Sequence, residues 1–104
     1  MLTVTVKFYG VIRDVTSATT VQVGLDDGAT VMDLLDHLHE KYGREFYNRV
    51  LDESTGIRHY VKLFLNNQEV DGKALTTTRL AADGSSAEAM LYVMPAGSGG
   101  QAQD

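Results

Sequence analysis

The hydrophobic repeat of this chain changes near residue 30. In residues 2–8 every second side chain is apolar, which is the pattern of a half-buried strand. In residues 31–42 the apolar side chains fall at i, i+3, i+4, i+7 and i+11, so that they form one stripe on a helix. One helix of this length among alternating segments predicts a two-layer α+β domain, with the helix lying across one face of a sheet.

The residues around this helix predict both of its ends. Thr30 is placed to act as N-cap, and Asp33 reproduces the spacing of a capping box. Gly43 is placed to end the helix in a left-handed conformation. We therefore expect a helix over residues 31–42.

Turn residues separate the strands on either side of the helix. Residues 20–25 alternate and lead into an Asp-Asp-Gly turn, which predicts an N-terminal hairpin. Residues 60–65 predict a further strand, followed by an Asn66-Asn67 turn and a short stub. The last strand is expected at residues 90–94, after a polar loop at 81–89.

Two further segments give weaker signals. Residues 44–51 are compatible with a short helical turn, before residues 52–56 break the pattern. Residues 75–80 are ambiguous between a strand and a short turn. The element order is therefore strand, strand, helix, strand, stub and strand.

Composition excludes several classes of protein. A chain of 104 residues fits one small domain, which we place at residues 1–95 with a flexible tail at 96–104. The net charge is −5 and the basic residues are scattered, so nucleic acid is not an expected partner. No cysteine is present, which excludes disulfides and thiolate chemistry. Without a long apolar run or a secretory signal pattern, we expect no membrane association and a cytoplasmic location.

Catalytic and metal-binding motifs are also missing. The sequence has no phosphate-binding G-x-x-x-x-G-K-[ST] loop and no G-x-S-x-G nucleophile motif. His37 and His39 are two residues apart, whereas a helical metal pair needs a spacing of four, so no metal site is predicted. We expect a protein that is not an enzyme by itself and binds no cofactor.

The end of the chain carries the most unusual feature, the sequence Gly97-Ser98-Gly99-Gly100 shortly after a strand and Pro95. A glycine pair can be a simple linker end. It can also thread a channel too narrow for side chains and deliver a terminal carboxylate to another protein's active site. By itself this motif is a weak signal, but its place at the end of a two-layer domain strengthens it.

Four blocks of the sequence, at residues 6–14, 28–35, 63–67 and 93–100, resemble the β-grasp sulfur carriers of the molybdopterin-synthase small-subunit and ThiS type, relatives of ubiquitin. The blocks follow the order and approximate spacing of that family, and the first and last are the most specific. The resemblance implies a ubiquitin-like β-grasp fold, with a mixed sheet of four to five strands packed on one main helix.

The resemblance also implies a function. In such carriers an E1-like adenylyltransferase uses ATP to activate the terminal glycine, and a sulfurtransferase or other sulfur donor then converts it to a thiocarboxylate. An acceptor enzyme, such as a molybdopterin-synthase large subunit, takes the sulfur. By position, Gly100 is the activated residue and Gly99 its companion in the channel.

Strand alternation predicts where such partners dock. If the apolar side chains of residues 2–8 face the helix, Tyr9 lies on the opposite face of the sheet, together with Met90, Tyr92 and Met94 of the last strand. In the family the positions matching Tyr9 and Met94 are exposed and hydrophobic. These residues can bind a partner or simply cover the sheet, and Arg13 can pair with an acidic partner residue or cap a loop.

The sequence departs from the family in two places. Residues 101–104 follow Gly100, so that its carboxylate is held in a peptide bond with Gln101. Either a JAMM-type or similar protease cleaves between Gly100 and Gln101, which we favour, or the carrier role is lost. The stretch 83–89 is longer than the family's turn before the last strand. A lysine-linked protein modifier and a non-activated interaction module remain as alternatives.

Overall fold

The computed structural model describes residues 2–52, 56–58, 60–80 and 86–93. Seven strands and three helices follow each other in these ranges. In chain order they are β1 (Leu2–Gly10), α1 (Arg13–Thr16), β2 (Thr20–Leu25), α2 (Val31–Tyr42), α3 (Arg44–Val50), β3 (Leu51–Asp52), β4 (Gly56–Ile57), β5 (Val61–Leu65), β6 (Gln68–Glu69) and β7 (Ser86–Val93).

The main sheet has five strands in the order β2-β1-β7-β5-β6. The first and last strands of the chain, β1 and β7, pair in parallel from Thr3↔Ser86 to Gly10↔Val93, and the other pairs are antiparallel. Strands β3 and β4 form a separate antiparallel two-stranded sheet. This mixed sheet with its main helix is the ubiquitin-like β-grasp fold, which confirms the predicted fold class.

The core lies between α2 and one face of the sheet. Alternate side chains of β1 and β7 are buried on this face, and the apolar stripe of α2 is buried in the same cluster. The small residues Ala87 and Ala89 share the inner face of β7 with Leu91 and Val93. Burial of each large aliphatic side chain contributes about 1.5–3 kcal/mol. The cluster contains Leu2, Val4, Val6, Phe8, Val31, Leu34, Leu35 and Leu38.

Helix α2 begins and ends where the sequence predicts. The Thr30 hydroxyl accepts a hydrogen bond from the Asp33 amide at 3.3 Å, and the Asp33 carboxylate accepts one from the Thr30 amide at 2.9 Å. The capping box is therefore confirmed. Gly43 ends the helix with φ 91° and ψ −171°, a positive φ outside the left-handed helical region that was expected. The rings of Tyr42 and Phe8 contact each other edge to face, with their centroids 6.0 Å apart. Burial raises the pKa of the Tyr42 hydroxyl above the usual 10.0.

The structure corrects the expected start of the last strand. Strand β7 begins at Ser86, so residues 86–89 belong to the sheet although the loop was expected to continue to residue 89. These residues are small or polar and carry little local strand signal. Pairing with β1 along all four residues holds them extended, and β5 reaches Ala89 on the other side. Asn66 adds two hydrogen bonds to the backbone of Glu88, because its amide donates to the Glu88 carbonyl and its Oδ1 accepts from the Glu88 amide.

Two other segments also differ from the sequence-based expectation. Residues 13–16, which lie between the two strands of the predicted N-terminal hairpin, form the short helix α1, and residues 51–52 pair with residues 56–57 as β3 and β4. Residues 75–80 form turns that are hydrogen-bonded to the first turn of α2 and to the residue before its N-cap. The carbonyls of Thr78 and Leu75 accept hydrogen bonds from the amides of Val31 and Met32 at 2.9 and 3.0 Å.

Gly10 fixes the position of the end of β7. It adopts φ 80°, and a Cβ at this position would collide with the Val93 carbonyl oxygen. That same oxygen accepts a hydrogen bond from the Val11 amide at 3.0 Å. Only glycine allows this approach of the two central strands. The point from which the chain continues toward its C-terminus is thereby tied to the end of β1.

We expect Gly10→Ala to destabilise the fold strongly. Gly28→Ala is the matched control, because Gly28 also has a positive φ of 85° but its added Cβ would lie 3.7 Å from the flexible Arg79 guanidinium. The control should lose about 1–2 kcal/mol from the backbone conformation alone. Gly10→Ala should lose at least twice as much in urea unfolding, and equal losses would contradict the close approach.

Candidate partner-binding surface

The outer face of the sheet, opposite α2, carries a pair of stacked tyrosines. Tyr9 and Tyr92 are register partners on the parallel strands β1 and β7. Their ring centroids lie 6.2 Å apart with an interplanar angle of 23°. Tyr92 is 44% exposed and Tyr9 is partly exposed. The sequence-based placement of both rings on the outer face is therefore correct.

Two further apolar side chains extend this pair into a continuous surface. Met90 lies two residues before Tyr92 on the same face of β7, and Phe64 of β5 is its register partner. Both are partly exposed. We call these four residues, Tyr9, Phe64, Met90 and Tyr92, the outer aromatic patch. Aromatic and Met side chains with partial exposure are the types that dominate protein interfaces.

Phe64 is the member of the patch that sequence reasoning missed. Residues 60–65 are mostly apolar, so the strand gives no clear alternation by which to choose an outer face. The signal that was present is Lys62, which shares a face with Phe64 because side chains two apart on a strand point the same way. In the structure Val61 and Leu63 are buried, and Lys62 is exposed.

Ion pairs lie on the same face around the patch. Lys7 Nζ is 3.1 Å from Glu88 Oε2, and Lys62 Nζ is 3.3 Å from Glu69 Oε2. All four side chains are well exposed, so each pair contributes at most about 1 kcal/mol to stability. Their arrangement instead gives the apolar surface a charged border, as at the rim of a protein interface.

Arg13 lies beyond the end of β1, in the segment that follows Gly10. It is exposed at the start of α1 and lines a cleft of about 760 Å³ together with Gly10, Ser17 and Thr20. No ion-pair partner of Arg13 is found among the residues that the structure describes. Its guanidinium is thus accessible near the end of the two central strands.

The other predicted site residues are Met94, Gly99, Gly100 and Gln101. They lie outside the described residues, and their roles stay predictions. Within the described ranges, no cluster of three acidic or histidine side chains is arranged to hold a metal ion. None of the helices in those ranges has both the length and the apolar character needed to cross a membrane.

Comparison of sequences finds no family model and no curated protein that matches this chain. Comparison of structures does find matches. The structure of the small archaeal modifier protein SAMP1 from Haloferax volcanii has 22% identity and a TM-score of 0.73, over 90% of this chain and 97% of that one. A Pyrococcus furiosus protein assigned as subunit 1 of a molybdopterin converting factor has 18% identity and a TM-score of 0.69, over 91% of this chain and 100% of that one.

A third match is a chain of the BexX/CysO complex of Amycolatopsis orientalis. It has 17% identity and a TM-score of 0.67, over 89% of this chain and 97% of that one. At these identities the matches establish the fold, which the chain shares with these proteins over nearly its whole length. The resemblance noted in the sequence is confirmed at the level of the fold.

We expect the outer aromatic patch to contribute little to stability. Tyr92→Ala should cost about 1 kcal/mol, because it removes a stacked ring from a largely exposed position. The neighbouring Leu91→Ala should cost about 2–5 kcal/mol, because Leu91 is fully buried in the core. Urea unfolding of both variants measures the difference. A Tyr92→Ala cost equal to that of Leu91→Ala would indicate a structural role for the patch.

Proposed function

We propose that this chain is a sulfur carrier, a protein co-substrate that acts through its C-terminus. After residues 101–104 are removed, an E1-like enzyme adenylates the carboxylate of Gly100 with ATP. A sulfur donor then displaces AMP and leaves a thiocarboxylate, which passes its sulfur to an acceptor such as a molybdopterin precursor. The carrier itself needs no bound cofactor and no catalytic side chain.

The observation that carries this proposal is the position of the end of β7. This strand lies in the middle of the sheet, and its last residue, Val93, is held against Gly10 at the end of β1. The outer aromatic patch is formed by residues near the C-terminal ends of these same two strands and by Phe64 of β5. A partner seated on the patch would therefore hold the domain close to the point from which the Gly99-Gly100 motif follows in sequence.

The chemistry explains why the carrier needs such a partner. A carboxylate is a poor acyl donor until one of its oxygens becomes a leaving group, and adenylation by ATP accomplishes this change. The chain has no phosphate-binding loop in its sequence, so the activating enzyme must supply the nucleotide site. The patch and Arg13 would provide recognition, with apolar contacts at the centre and charged contacts around them.

The names of the structural matches support a second candidate. Three of them are structures of small archaeal modifier proteins, from Haloferax volcanii and Methanosarcina acetivorans, and another is Urm1 from Trypanosoma brucei. A modifier would use the same activated Gly100 but join it to lysine side chains of other proteins. Because activation is common to both functions, the fate of the activated glycine distinguishes them. Lysine-linked conjugates in the host would support the modifier, and a free thiocarboxylate would support the carrier.

Activation can be tested directly with an E1-like adenylyltransferase from the same host. We expect a chain ending at Gly100 to support ATP–pyrophosphate exchange and the full chain ending at Asp104 to support none. Tyr92→Ala in the shortened chain should raise the half-saturating carrier concentration at least about tenfold, as loss of about 1.4 kcal/mol of docking energy requires.

Thr3→Ala is the control for this experiment. Thr3 is exposed on the outer face of β1, at the end of the strand opposite Tyr9. Its removal should leave exchange unchanged. Equal exchange by the full and shortened chains would contradict the need for processing. Equal half-saturating concentrations of the Tyr92→Ala and Thr3→Ala carriers would contradict docking through the patch.

The protein recovered untagged from its own host should contain a species that ends at Gly100. We expect a fraction of it to carry sulfur in place of one carboxylate oxygen, which adds about 16 Da by the difference in atomic mass. Intact mass spectrometry with C-terminal fragmentation measures both changes. If only the full chain through Asp104 is found while sulfur-requiring pathways are active, the non-activated interaction module becomes the better interpretation.

A further inference from the structure

Strand β2 forms one edge of the main sheet and pairs only with β1 among the described residues. The Phe8 amide donates to the Thr19 carbonyl at 2.9 Å in the same register that joins β1 and β2. In an antiparallel ladder, hydrogen-bonded pairs alternate with pairs whose backbone groups point away from each other. The amides and carbonyls of Thr20, Gln22 and Gly24 therefore point outward from the sheet.

This edge lacks the features that usually prevent strands from pairing between molecules. Natural edge strands carry charged side chains, proline or bulges, or are very short. Residues 15–25 contain no charged residue and no proline, in a chain of which 22% is charged. The opposite edge of the same sheet, β6, is only two residues long. The two edges thus differ, and only β2 offers a full-length strand for pairing.

Charged side chains stand at both ends of β2. At the start of the strand, Arg13 and Asp14 line a cleft together with Ala18, Thr19 and Thr20, and Arg13 is the basic member of this lining. Asp26 is exposed immediately after the strand ends at Leu25. An antiparallel second copy of this chain would place its Asp26 beside Arg13 and its Arg13 beside Asp26, so the chain itself supplies both charges of each pair.

We propose that β2 pairs with β2 of a second copy of this chain, antiparallel and about a two-fold axis at Gln22. Gln22 then faces Gln22 of the second copy, and Thr20 faces Gly24 in both directions, so the outward backbone groups are paired. Continuing this register brings Asp26 of each copy opposite Ala18 of the other, next to Arg13. The interface is isologous, and it joins the two sheets into one.

Edge pairing of two small sheets buries little surface. The contact belongs with interfaces below about 1,200 Å² in total, which are weak and transient. Because the new strand pairs in the plane of the sheet, the outer aromatic patch stays accessible in both copies, whereas Arg13 is engaged. This inference does not rest on the proposed carrier function. It concerns the full chain alone, without an activating enzyme or ATP.

Sedimentation equilibrium of the full chain in about 0.15 M salt tests the pairing, with loading up to about 1 mM, where a millimolar dissociation constant is measurable. We expect reversible dimers in the wild-type chain. Gln22→Lys should raise the dissociation constant at least tenfold, because it places two like charges opposite each other across the two-fold axis. Circular dichroism and urea unfolding would verify that each variant is folded.

Thr5→Lys is the matched control. Thr5 is the register partner of Gln22 and shares its face, but it lies on β1, inside the sheet. In the dimer the two copies of residue 5 are three strand spacings apart, about 14 Å, which exceeds the screening length of about 8 Å. Thr5→Lys should therefore dimerise like the wild type. A wild-type chain that remains monomeric at the highest loading, or equal effects of the two lysines, would overturn the proposal.

Charge reversal tests the register. Arg13→Asp and Asp26→Arg should each weaken the dimer, because each places two like-charged pairs across the interface. The double variant carrying both substitutions restores the opposite charges. It should therefore reverse at least half of the increase in the logarithm of the dimer dissociation constant. A double variant that dimerises no better than the single variants would overturn the proposed antiparallel register.

Discussion

The parallel pairing of β1 and β7 is the interaction on which the rest of the structure depends. These two strands are the most distant in sequence, and they form the centre of the sheet. Their inner faces supply much of the core beneath α2, and their outer faces carry the stacked Tyr9 and Tyr92. The close approach at Gly10 and Val93 fixes how far β7 extends along β1. The β1–β7 pairing therefore determines part of the core, the position of the two stacked tyrosines and the place where β7 ends.

Because these strands have one buried face and one exposed face, their inner and outer residues differ in what they contribute to the free energy of unfolding. Inner residues such as Leu91 are fully buried and hold the fold, whereas outer residues such as Tyr92 keep much of their surface in water. Exposed aromatic side chains contribute little to the free energy of unfolding and much to binding when a partner covers them. The residues of the outer aromatic patch can thus change while the fold is retained, which fits a fold shared at about 20% identity.

Local patterns predicted those parts of the structure that local interactions determine. The α2 boundaries followed from its stripe and from the Thr30–Asp33 capping box, and strand alternation placed Tyr9 on the outer face. The early start of β7 could not be predicted, because residues 86–89 are held extended by pairing with distant strands. Phe64 was missed for a different reason: its strand is almost wholly apolar, and only Lys62 marks the face that points to water.

The carrier hypothesis depends on two separate parts of the chain, the described domain and the glycine motif that follows it in sequence. The described domain carries the outer aromatic patch, and the contact at Gly10 fixes where β7 ends. The Gly99-Gly100 motif supplies the glycine that the proposed function would activate. A partner that binds the domain and activates the glycine would use both at once. Under the carrier hypothesis, the number of residues between Val93 and Gly100 would therefore matter together with the patch, since it limits how far the glycine can lie from the domain.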